Sequence, residues 1–143
     1  MKVFISWSGN RSKQVGELLN FWLKCVIQAI DPWISTEIDR GAFWFTEINE
    51  ELNSTVNAIV CLTKENVNKP WILFEAGALA KGVSTNRVCT FLIDIRPEEI
   101  DDPLAQFNHT LPTREDMFRL IKTLNTRLGE KSLNEDLLKT SFN

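Results

Sequence analysis

Two apolar runs constrain this chain more than anything else in it: "NAIVCLT" at 57–63 and "RVCTFLIDI" at 87–95. Neither alternates apolar with polar residues, so neither suits a sheet with one wet face. Short continuous runs rich in Val, Ile, Leu and Phe read as strands buried on both faces. A third run of this kind, "KVFISW" at 2–7, opens the chain, and "DPWIS" at 31–35 reads as a shorter strand weakened by Pro32. Helical patterns lie between these strands. From Ser12, a residue type suited to an N-cap, a long helix is expected to run to about Ile30, with Val15, Leu18, Leu19, Trp22, Val26 and Ile30 as its stripe. Further helices are expected over about 42–54, with Phe45, Ile48 and Leu52 inward, over 71–83 after Pro70, and over 114–128. "RPEEIDDPLAQFNHTLP" at 96–112 reads as a long irregular connection broken by three prolines.

Alternating strands and helices with continuously apolar strands predict an α/β chain, its parallel sheet covered by helices on both faces. A chain of 143 residues suits one such domain. The domain is expected over 1–128, with 129–143 beginning a linker or a further helix toward a domain beyond. In such folds ligands bind outside the carboxyl ends of the strands. Segments 7–12, 35–44 and 63–75 are therefore the candidate site.

Composition narrows the partners. The net charge is −3, with no basic stripe to neutralise phosphates, which argues against nucleic acid. No apolar run approaches the ~18 residues of a membrane span, and "MKVFISWSGN" turns polar too early for a signal peptide. The three cysteines, Cys25, Cys61 and Cys89, form no C-x-x-C pair. They read as small hydrophobes in a reducing, cytoplasmic setting. His109 is the only histidine and has no ligand cluster around it, so no metal site is expected. The chain has no G-x-G-x-x-G and no P-loop, which leaves a Rossmann dehydrogenase and an NTPase without support.

The segment "PWILFEAGALAKG" at 70–82 carries the one carboxylate that the pattern does not explain as packing. On a helical wheel Ile72, Ala76, Leu79 and Val83 make the sheet-facing stripe. Trp71, Glu75, Ala78 and Gly82 lie beside it on the flank. Small residues at 78 and 82 leave Glu75 uncovered, with Trp71 one turn away. Spacing alone also fits a packed tryptophan and a solvated glutamate.

Three segments, in order, resemble a TIR (Toll/interleukin-1 receptor) domain. "KVFISWSGNRSKQVGELLNFWL" resembles its first strand, polar loop and long helix. "STEIDRGAFWFTEINEEL" resembles its second-strand region with the BB loop, and "NAIVCLTKENVNKPWILFEAGALAKG" its third strand and the W-x-x-x-E segment of NAD-cleaving members. The resemblance covers about residues 2–95 and is stronger toward bacterial TIR-like proteins than toward animal receptors. It implies a flavodoxin-like TIR fold with about five parallel strands. It implies an NAD+ nucleosidase that cleaves the nicotinamide–ribose bond, with NAD+ as substrate and no cofactor, acting in bacterial immune signalling. Glu75 matches the catalytic glutamate, and Trp71 matches the residue shaping the nicotinamide side. Trp7 matches the aromatic that closes the first strand. Ser8 and Gly9 stand where animal NADases carry basic residues, so phosphate contacts are expected from backbone N–H groups, Arg11, Lys13 or the helix N-terminus. Trp44 would supply a second aromatic wall or an assembly contact, and self-association is expected through the BB loop, from Thr36 to Gly41. Asp94, ending the fourth strand, could also reach the cleft. Two other readings stay open: a non-catalytic TIR scaffold, and a nucleoside deoxyribosyltransferase-like enzyme.

Overall fold

Lys2–Ser6 form β1, Asp31–Ile34 β2, Asn57–Leu62 β3, Val88–Leu92 β4 and Asn108–Thr110 β5. They make one five-stranded sheet, all parallel, in the order β2-β1-β3-β4-β5. This order is flavodoxin-like, in keeping with the fold class and the strand number of about five expected above. The computed structural model describes residues 2–34, 57–69, 88–102 and 104–143. The helices expected over 42–54 and 71–83 lie outside the described residues, as do the 36–41 loop, Trp44, Trp71 and Glu75.

The sheet is buried on both faces, as its unbroken apolar strands require. On one face Val3, Ile5, Ile59, Cys61 and Phe91 share a single core cluster with residues of three helices. These are α1 (Asn10–Val26), α2 (Arg114–Arg127) and α3 (Glu135–Phe142). On the other face Phe4, Ala58, Val60, Leu62 and Leu92 are no more than 1% exposed.

α1 departs from the sequence reading in three ways. It starts two residues before Ser12, with Gly9 in the cap position at φ 93°, ψ 159°. That backbone region is essentially closed to residues with a Cβ. Its buried row is Ser12, Gly16, Leu19, Leu23 and Val26, whereas Leu18 is 68% exposed. The row centres on small residues because the helix comes closest to the sheet there. A Cβ on Gly16 would stand 3.3 Å from Ile34 Cδ1 and 3.5 Å from Ile5 Cγ2. Finally, Ile30 lies beyond the helix end, buried in the approach to β2. Cys25, expected in an apolar setting, is exposed on α1.

β2 is an edge strand, pairing with β1 alone, so Pro32 costs no central ladder bond. β5 sits inside the stretch read as irregular. "NHT" carries no apolar signal, and the strand forms because β4 offers it a free edge, with Thr90 opposite His109. Two 3-10 turns, Pro97–Glu99 and Leu104–Gln106, fill the rest of that connection.

α2 begins at Thr113, whose hydroxyl accepts from the Asp116 N–H at 3.2 Å. α3 begins at Asn134, which accepts from the Leu137 N–H at 2.8 Å. The 129–143 segment is tied to the rest of the fold. Leu138 is 2% exposed within the core cluster, and Phe142 lies 5.0 Å from Phe118 and 6.0 Å from Trp22 between ring centroids. Asn125 holds the approach to α3, donating to the Leu133 carbonyl and accepting its N–H, each at 2.8 Å.

Candidate functional site

The parallel order places the ends of β1, β3 and β4 side by side, and the loops that follow them are bonded to one another. Asn66, 2% exposed, is the hub. Its Nδ2 donates to the Ser8 carbonyl at 2.9 Å and to the Cys61 carbonyl at 3.0 Å. Its Oδ1 accepts from the Thr63 N–H at 2.8 Å, and its own N–H donates to Thr63 Oγ1 at 3.2 Å. Ser12, within the first turn of α1, accepts from the Ser8 N–H at 3.2 Å and donates to the Cys61 carbonyl at 2.9 Å. Ser12 is therefore a clamp between α1 and β3. The Ser8–Gly9 loop is held in place by partly buried polar bonds to Ser12 and Asn66, which are costly to break.

Trp7 follows β1 directly and is half-buried, with Lys13 Nζ 5.6 Å from its ring centroid. Arg11 pairs with Asp94, which also accepts the Lys64 N–H at 2.8 Å. Partial burial works against the charge on Asp94, but the Lys64 N–H and the Arg11 guanidinium outweigh it and hold the carboxyl below its usual range. Asp94 thus reaches this end of the sheet and occupies Arg11, one of the two side chains expected to meet phosphate. Lys13 is engaged with Trp7. The N-terminus of α1 has no acidic residue in its first turn and no side-chain cap. Its N–H groups face the same loop cluster as Trp7, Ser8 and Gly9, and such groups favour an anion.

The structure therefore brings Trp7, Ser8, Gly9, Arg11 and Lys13 together with Asp94 and the 63–66 turn. Glu75, Trp71 and Trp44 lie outside the described residues. The sequence reading missed Asn66. The signal was present, since "TKEN" directly after an apolar strand has Thr and Asn spaced to bond each other's backbone.

Among the described residues, no group of three His, Cys, Asp or Glu could hold a metal. Burial raises the Cys61 thiol strongly. It also pushes Cys89 up to about 12, against the opposing pull of Arg127 and Thr110, so both are thiols at neutral pH. His109 belongs to β5, its Nδ1 hydrogen-bonded with Thr90 Oγ1, and burial lowers its pKa. No described helix is long and apolar enough to cross a membrane. No protein-family model matches the chain, and no curated protein matches it significantly.

Proposed function

We propose that this chain is a TIR-type NAD+ glycohydrolase with Glu75 as its catalytic carboxylate. One observation carries the reading. The loop after β1, with Trp7, Ser8 and Gly9, is bonded to the turn after β3 through Asn66 and the Ser8 carbonyl. The chain leaving that turn at Lys69 runs straight into the Pro70–Glu75 segment that resembles the NADase motif. The sheet order supports the same reading, because the carboxyl ends of such sheets are where nucleotides bind.

The chemistry asks little of the protein. Nicotinamide leaves NAD+ as a neutral ring, so it needs no proton. The barrier is the positive charge that develops on the ribose. A carboxylate at Glu75 would stabilise that charge or capture the anomeric carbon, and an unperturbed glutamate near pKa ~4.3 is ionised for this at neutral pH. Trp71 and Trp7 would offer flat faces to the cationic nicotinamide. In this reading the α1 N-terminus would meet the pyrophosphate, with Lys13 turning from Trp7 to join it. Water as acceptor gives ADP-ribose, and an adenine nitrogen gives a cyclic ADP-ribose. In this reading assembly through the 36–41 loop activates the enzyme, which serves a bacterial immune response.

The test is nicotinamide release from NAD+ by concentrated protein, beside Glu75→Gln and Glu75→Ala. Both variants are expected to lose at least about 100-fold in rate. A wild type that stays silent when concentrated and crowded returns the chain to the scaffold reading. Fully active glutamate variants would remove Glu75 from the site. Cleavage of deoxynucleosides but not NAD+ would favour the deoxyribosyltransferase-like alternative.

A further inference from the structure

α1 carries an exposed apolar face that the fold does not use. Phe21 is 71% exposed and Leu18 68%, and Cys25 is exposed on the next turn. Beside them opens a groove of about 460 Å³ lined by Val15, Trp22, Ile93 and Met117, with almost no polar surface. A lone exposed leucine needs no explanation, but two large apolar residues bordering an apolar groove mark an interaction surface.

The charges beside this face decide what covers it. At about 100° per residue, Glu17 and Lys24 fall on one flank of Phe21, and Leu18 and Cys25 on the other. Neither Glu17 nor Lys24 is in an ion pair among the described residues. We propose that this face is where two copies of the chain meet, α1 against α1, antiparallel about a two-fold axis at Phe21. Such an axis brings like flanks together with reversed direction, so residues equally far before and after Phe21 face each other. Glu17 then lies within about 1.5 Å, one residue's rise, of the level of Lys24 in the second copy, and the pair occurs twice. On the other flank Leu18 meets Cys25 of the second copy, over the apolar groove. A parallel two-fold would instead bring opposite flanks together, setting Glu17 beside Leu18 and Lys24 beside Cys25 of the second copy, with neither ion pair formed. The sign pattern therefore selects the antiparallel dimer. This contact is separate from the 36–41 loop and does not depend on the NAD+ chemistry. The patch is small, so the affinity is expected at the weak end, on the order of tens of micromolar.

Sedimentation velocity of the full chain over a dilution series tests this. A reversible monomer–dimer equilibrium is expected. Phe21→Asp, an exposed change that leaves the core alone, is expected to weaken the dimer more than about thirtyfold. Glu17→Lys and Lys24→Glu should each weaken it about three- to tenfold, and the double swap should restore it. Under oxidation the wild type should form no Cys25–Cys25 bond, because those residues stand about 12 Å apart along the axis. Phe21→Cys in a Cys25→Ser background should cross-link, because that position lies on the axis. A chain that stays monomeric to millimolar concentration would overturn the proposal. So would a dimer indifferent to Phe21→Asp, or charge swaps whose losses simply add.

Discussion

Asn66 shows how much one buried amide can organise. It ties the loop after β1 to the turn after β3 through the Ser8 and Cys61 carbonyls and the Thr63 N–H. Asn66→Ala strips all three partners at once. We expect a loss of about 2–3 kcal/mol in urea unfolding, with Asn66→Asp also costly because it removes the amide donor. Gly9 answers to backbone geometry instead. At φ 93°, Gly9→Ala should cost about 1–3 kcal/mol although the space around it is open enough, since the nearest atom to a Cβ added there would be Glu65 Oε2 at 3.8 Å. Two titrating residues make stability depend on pH in separate windows. His109 has its pKa lowered by burial, so below its ordinary 6.5 the unfolded chain binds a proton that the folded chain does not. Stability therefore falls as pH drops from 6.5 toward the folded value, and His109→Gln should flatten that part of the profile. Asp94 has a depressed carboxyl pKa, so its contribution is present above its ordinary 3.8 and lost as pH falls through the lower folded value. With Arg11 56% exposed, the Asp94 contribution should stay below about 1 kcal/mol, read as the difference between wild type and Asp94→Asn in acid unfolding.

Among the elements, α1 and α3 say most about legibility. The period of α1 was readable, but its inward face was not. Large apolar residues look like core, yet a helix that must approach a parallel sheet closely puts small ones there, here Ser12 and Gly16. Leu18 and Phe21 were left outside for that reason. Gly16→Val should therefore destabilise by about 1–3 kcal/mol, since its side chain would press on Ile34 and Ile5. α3 was legible as a helix from "NEDLLKT", but its docking was not. Leu138 sits in the main core cluster, so Leu138→Ala should cost about 2–4 kcal/mol in urea unfolding. A helix that only began a linker would show almost no effect. β5 was illegible for a different reason. Three polar residues carry no strand signal of their own, and only the unpaired edge of β4 makes them a strand.

For the whole molecule, thiol accessibility reports the arrangement directly. Cys25 is exposed, Cys61 is buried, and Cys89 is a high-pKa thiol packed against the core. In the native state a thiol reagent should titrate one fast cysteine, lost in Cys25→Ser, with the other two appearing on unfolding. The sequence by itself determined the class of this fold. Continuous apolar strands alternating with amphipathic helices have few ways to bury themselves other than a covered parallel sheet, and such a sheet gathers the loops that follow its strands at one end. The same reasoning located Trp7, Ser8 and Gly9 in the candidate cleft. Only the tertiary structure decided which polar groups meet there. It set Asp94 on Arg11, Lys13 on Trp7 and Asn66 beneath Ser8, pairings between residues up to 83 positions apart. It also decided which apolar residues of α1 stay outside. Local pattern fixes period and burial on average. Strand order and the closeness of helix to sheet fix which particular side chains touch, and these depend on the whole chain at once.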